Sequence, residues 1–293
     1  MEWYNQLAQY LVTGITSGAI YALVALGFTI VYNATEVINF AQGEFVMLGG
    51  MITATVLASL GMPLISSVII AIALVTLIGI LFERLALRPV REAPVMNLII
   101  ITIGGSILIK GAAMLIWGKD ARPIRPFTPA EPIHVLGAVV TTQSLWVLGG
   151  MALAVILLHF FYEYSISGKA LRACAYNRKA ARLCGISVER MVLFSFALSS
   201  GIGALAGVLI APITYTAYDV GTMLGLKGFC AAILGGLGSN LGAVFGGILI
   251  GLLESLSAGY VSSGYKDAVA FLILLLVLYF RPAGILGKRA EKV

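Results

Sequence analysis

Six residues, Asn39-Phe40-Ala41-Gln42-Gly43-Glu44, put two side-chain amides and a carboxylate at the start of an otherwise apolar stretch. A carboxylate taken into lipid without a partner costs several kcal/mol or takes up a proton. Glu44 is therefore expected to face protein or water. Asn39 and Gln42 either hydrogen-bond across helices or line a path. A second candidate is Gly235-Gly236-Leu237-Gly238-Ser239-Asn240. Backbone amides exposed where a helix breaks can receive a carboxylate, and an equally simple role is the turn of a hairpin. Lys110 either snorkels to the outer face or turns inward, with Glu254 as its partner. Lys227 and Asp219 are expected near the outer boundary.

Other chemistry is missing. No G-x-x-x-x-G-K-[ST] stretch occurs, and Gly168-Lys169-Ala170 lacks both the spacing and the hydroxyl that would hold magnesium. The chain is not expected to hydrolyse ATP or to carry a cofactor. Cys174, Cys184 and Cys230 form no paired framework and stand far from His134 and His159, so they read as small buried thiols rather than a metal site. No Ser/His/Asp arrangement can be placed.

The elements that must position these residues follow from composition. Of 293 residues, 60% are hydrophobic and 11% charged, with mean hydropathy +1.00. One soluble domain cannot hide that much apolar surface. The reading is an all-α, polytopic transmembrane helical bundle occupying 1–293 as one domain. Apolar segments run at about Leu7–Tyr32, Val37–Leu60, Leu64–Phe82, Val95–Trp117, Leu145–Tyr162 and Met191–Ala211. Pro123, Pro126, Pro129 and Pro132 mark an irregular loop after the fourth. Lys227–Gly238 and Leu241–Leu256 then resemble a helical hairpin or re-entrant element, and Ala268–Phe280 closes the series. That gives eight passes, or nine if both short hairpin segments cross. Met1–Gln6 carries no basic region of the kind that opens a cleaved signal peptide.

The formal charge of +6 matters less than where the charges lie. Arg84, Arg88 and Arg91, six basic residues between Glu163 and Arg190, and Arg281, Lys288, Arg289 and Lys292 make up 13 of the 19. The positive-inside rule puts all three groups in the cytoplasm, with the N-terminus outside and the C-terminus cytoplasmic. Nucleic acid is not an expected partner. Within the 163–190 loop, Leu171, Cys174, Ala175, Ala181 and Cys184 fall at helical spacing, flanked by Lys169, Arg172, Lys179 and Arg182, and Gly185 fits a helix end. Two readings stay open: a basic helix on an anionic leaflet, or a coupling helix fitting a cytosolic motor protein.

This loop resembles the one that contacts the ATPase subunit in branched-chain amino acid ABC-transporter permeases. Asn39–Phe45, Lys227-Gly228-Phe229 with Ala232–Ser239, Gly242-Ala243, Gly246-Gly247, Tyr265-Lys266-Asp267 and Arg281–Gly287 resemble the same family, most of all its H-type subunit. The resemblance covers nearly the whole chain in order. It implies a coupling helix carrying Gly168, Leu171, Arg172, Cys174, Ala175, Asn177, Ala180, Ala181 and Gly185. It also implies a second, M-type permease, two cytosolic ATPase subunits that use ATP, and an extracytoplasmic amino-acid-binding protein, all at a bacterial inner membrane. The implied cargo is leucine, isoleucine and valine, with urea or short amides as alternatives within the family. The translocation path would involve Asn39, Gln42, Glu44, Gly235, Gly236, Gly238 and Ser239. The rival is an ion-gradient-driven secondary transporter, which would enlist Glu44, Lys110 and Glu254.

Overall fold

The computed structural model describes residues 2–128, 131–135, 137–281 and 283–287. Helix α1 (Glu2–Thr35) runs for 34 residues, about 51 Å at 1.5 Å per residue, through the centre of the bundle. Around it stand α2 (Gln42–Leu60), α3 (Leu64–Phe82), α4 (Val95–Trp117), α5 (Thr142–Tyr164), α6 (Ile166–Tyr176), α7 (Arg178–Leu183), α8 (Val188–Thr214), α9 (Val220–Gly235), α10 (Asn240–Tyr260) and α11 (Lys266–Phe280). A small antiparallel hairpin, β1 (Ile133–Val135) with β2 (Ala138–Val140), covers one end of the bundle. There Gln9 exchanges two hydrogen bonds with the Val139 backbone, at 2.7 and 3.2 Å.

Among the described residues, eight helices are long and apolar enough to cross a membrane. Helix α9 is shorter at 16 residues, so the hairpin expected from the sequence is uneven: its second arm, α10, has 21. The inner helices are α1, 89% buried over its most apolar stretch, and α2 and α8; α4, 11% buried, is peripheral. Small residues set the inner contacts. Gly14 and Gly18 on α1 meet Gly247 and Gly251 on α10, where a Cβ on Gly251 would lie 2.3 Å from the Gly18 nitrogen. Backbones this close admit no side chain between them.

Three boundaries depart from the sequence reading. The apolar run Val37–Ala41 is not helical, and α2 begins only at Gln42. Asn39 Oδ1 accepts from the Ala41 amide at 3.2 Å, and Thr102 of α4 donates to Ile38 O and accepts from Phe40 N, each at 3.2 Å. These side-chain bonds satisfy backbone groups that a helix would have paired internally. Pro212 does not end α8, which continues to Thr214. Helix α9 starts at Val220, well before Lys227, so that lysine stands mid-helix.

Glycines shape the opposite end. Gly236 and Gly238 take φ values of 102° and 97° in the α9–α10 turn, a left-handed region that favours glycine. Against the end of α9 lies the segment 283–287, with the Ile285 and Leu286 amides donating to Leu234 O and Gly235 O at 2.8 and 3.0 Å. Lys288, Arg289 and Lys292 lie outside the described residues, as do Pro129 and Pro282.

Candidate functional site

Each path residue expected from the sequence has a definite place. Gln42 is fully buried and joins three helices. Its Nε2 donates to Ser199 O at 3.1 Å, and Ser199 Oγ lies 2.5 Å from its Oε1 and 2.9 Å from Gly27 O. This is bracing geometry for α1, α2 and α8. Asn39 is also fully buried, and its Nδ2 finds no partner among the described residues. Glu44, 1% exposed, accepts through Oε1 from Ser106 at 3.0 Å and from Thr222 at 3.5 Å. Lys110 Nζ donates to the same Thr222 hydroxyl at 3.1 Å and stands 5.9 Å over the Tyr218 ring.

The structure corrects the expectation that Glu254 would partner Lys110. Lys227 is buried in the bundle, 2.8 Å from Glu254 and 2.7 Å from Asp267. Tyr21 of α1 donates to the second Glu254 oxygen at 2.7 Å. The cluster ties α9, α10 and α11 by charge, and α1 through the Tyr21 hydrogen bond, where a lone ion would be prohibitive. Sequence reasoning missed it because its members are spread across the chain and meet only in the fold.

Gly235, Gly236, Gly238 and Ser239 form a turn. Ser239 caps α10 by accepting from Gly242 N at 3.0 Å, and Asn33 donates to Gly238 O at 3.1 Å. The loop expected to dock a partner is two helices rather than one. Asn177 is extended and caps α7, accepting from Ala180 N at 3.0 Å, and Ser165 caps α6 through Gly168 N at 2.9 Å. The apolar stripe consequently splits. Leu171, Cys174 and Ala181 turn into the bundle, and a Cβ on Gly168 would lie 2.1 Å from Phe161 O. Ala175, Asn177, Ala180, Cys184 and Gly185 stay exposed. Cys184 thus departs from the expectation of three buried thiols. The outward face gains Tyr176 at 95% and Leu183 at 89% exposure.

Turn and loop share one cavity of about 610 Å³, lined by Leu171, Arg172 and Ala175 on one side and by Gly238, Ser239 and Asn240 on the other. The basic connectors also converge at this end. Arg88 and Arg91 both pair with Glu189, Arg172 pairs with Glu163, and Arg88, Arg91, Arg178 and Arg182 line a second cavity of about 190 Å³. Burial pushes the Cys174 thiol above its ordinary range, against the opposing effect of nearby Arg178. No cluster of His, Cys, Asp and Glu with metal-holding geometry occurs among the described residues.

Residues 10–278 match the family described as branched-chain amino acid transport system / permease component. The chain belongs to that family. This permease is 35% identical to the high-affinity branched-chain amino acid transport system permease protein LivH of Escherichia coli, covering 100% of this chain and 99% of that one. It is 36% identical to the corresponding protein BraD of Pseudomonas aeruginosa over the same shares. A probable LivH of Methanocaldococcus jannaschii is 28% identical, covering 92% of the permease and 90% of the relative. In the permease, Tyr176 and Leu183 lie off the stripe that the sequence predicts, because that stripe runs as one helix across Asn177 whereas the fold breaks there. Asn177, an N-cap residue type between two helical stretches, is the available signal.

Proposed function

We propose that this permease is the membrane subunit of an ATP-driven importer for leucine, isoleucine and valine in a bacterial inner membrane, and that it forms the translocation path with a second, M-type permease. In this reading the end where the basic connectors meet is cytoplasmic, the end covered by the β1–β2 hairpin is outside, and both termini follow the positive-inside rule. The whole chain is one permease domain, and 163–190 is its coupling loop.

The observation that carries the reading is the capped α6–α7 pair. It exposes Tyr176 and Leu183, and α6, Tyr176 included, lines a cavity shared with the α9–α10 turn. A cytosolic ATPase pushing on α6 would therefore act through the same cavity on the helix pair that holds Lys227 and Glu254. The chain has no phosphate-binding loop of its own, so hydrolysis belongs to two partner ATPases, and first selection of cargo belongs to an extracytoplasmic binding protein.

The test is radiolabelled leucine uptake by the permease reconstituted with its second permease, ATPases and binding protein, with and without ATP inside. ATP-dependent and binding-protein-dependent accumulation is expected. An intact, hydrolysing assembly that takes urea or a short amide instead of leucine would reassign the cargo. Leucine uptake driven by an ion gradient without the ATPases would replace the reading with a secondary transporter.

A further inference from the structure

Three helices bring opposite charges close together without letting them pair. Gly43 of α2 packs on Gly221 and Gly225 of α9, and a Cβ on Gly43 would lie 2.1 Å from Gly221 O. That contact carries Glu44 to the first turn of α9. From α4, Ser106 and Lys110 reach the same place, one helical turn apart. Thr222 stands between the charges, 3.1 Å from Lys110 Nζ and 3.5 Å from Glu44 Oε1. Among the described residues Lys110 has no ion pair, and Glu44 Oε2, fully enclosed, has no hydrogen-bond partner. The first turn of α9 has no side-chain cap, so its amide dipoles add positive character there.

A structural brace would close such charges on each other, as Lys227 and Glu254 do. Nor does lipid suit the place. Thr222 is exposed and Lys110 half-buried on helices that otherwise present Ile103, Ile107, Met223 and Leu226, all exposed. An intramembrane charge on such a surface faces a partner or an aqueous path.

We propose that Lys110, Thr222, Ser106 and Glu44 form the station at which the charged end of a zwitterionic amino acid pauses during passage, Lys110 receiving the carboxylate and Thr222 with Glu44 the ammonium. The apolar flank of Ile103, Ile107, Met223 and Leu226 takes the aliphatic side chain. The substrate replaces the internal Lys110–Thr222–Glu44 chain of contacts with its own two charges and restores it on leaving. This rests on the reading of the chain as an amino-acid permease.

The experiment uses the complete assembly in proteoliposomes, with leucine uptake measured at saturating binding protein for wild type, Lys110→Met, Lys110→Arg and Thr222→Val. Loss of a charge-assisted contact predicts a drop of about tenfold or more for Lys110→Met, a smaller drop for Thr222→Val, and recovery with Lys110→Arg. Separately, Thr222→Cys is labelled with a cationic thiosulfonate during turnover. Leucine should slow labelling there but not at Lys119→Cys in the loop beyond α4. Wild-type uptake that persists in Lys110→Met, with no protection of Thr222→Cys, overturns the station and leaves the importer standing. A wild-type assembly that moves no amino acid overturns both.

Discussion

Lys227 is the residue on which the packing of α9, α10 and α11 depends most directly. Its ammonium sits between Glu254 and Asp267 with about a tenth of its side chain exposed. Replacing it with methionine leaves Glu254 only the exposed Lys266, 4.0 Å away, and removing one member of a buried pair costs about 3–5 kcal/mol. Lys227→Met should therefore lower the melting temperature and the yield of monodisperse protein in detergent. The double change Lys227→Met/Glu254→Met should recover much of the loss; a single variant as stable as wild type would show that the cluster carries little of the fold. The cysteines give a second test at this scale. Because burial raises the Cys174 pKa, its thiolate fraction at neutral pH is below that of an ordinary thiol, while Cys184 is exposed. Maleimide should modify Cys184 first near pH 7, and Cys174 should gain reactivity only as pH rises. Equal rates at neutral pH would mean that α6 leaves the bundle in solution. None of this was legible in the sequence, which names the charges and thiols but not their neighbours.

Helices divide into those that punctuation defines and those that contacts define. Helices α3 and α4 begin after Pro63 and Pro94, and both were placed from the sequence at the bounds they have in the fold. Helix α2 was not. Hydropathy sees Val37–Ala41 as apolar and extends the helix through it, whereas the Asn39 and Thr102 side chains hold that backbone in another shape. The loop at 163–190 failed in the same way. Its helical spacing was visible, but the stripe mixed residues that pack inward with residues that face out. That split separates two substitutions. Ala181→Glu forces a carboxylate into a site 4% exposed and should reduce folded yield. Leu183→Glu changes only the outer face and should leave folded permease that assembles or couples poorly with its ATPases. ATPase activity and uptake measured together decide this: full coupling in Leu183→Glu would place the docking surface elsewhere.

The molecule as a whole is a tightly joined centre with looser helices around it. Helices α1 and α10 meet through glycine at a distance where added methyl groups strike backbone. Overpacking typically costs about 1–3 kcal/mol, and backbone here cannot step aside as a side chain could. Gly251→Val should unfold at lower temperature than wild type, while valine at Gly111, which has open space around it, should be tolerated; thermal stability of both in one detergent checks the pair. The glycines that make this centre possible, Gly14, Gly18, Gly247 and Gly251, stand in the sequence four residues apart in each pair. Which helices they join is not legible there, because glycine pairs do not announce their partners.

The segment 283–287 holds a further consequence, in time rather than in space. The two carbonyls at the end of α9 receive their amides from Ile285 and Leu286, which a ribosome delivers only after α10 and α11 have been made. Until then the end of α9 carries open acceptors, of the kind every helix C-terminus must satisfy. The α9–α10 pair can enter the membrane early, but its turn is latched only once 283–287 has been made. The segment that follows α11 thus acts as the fastening for a turn laid down two helices before it.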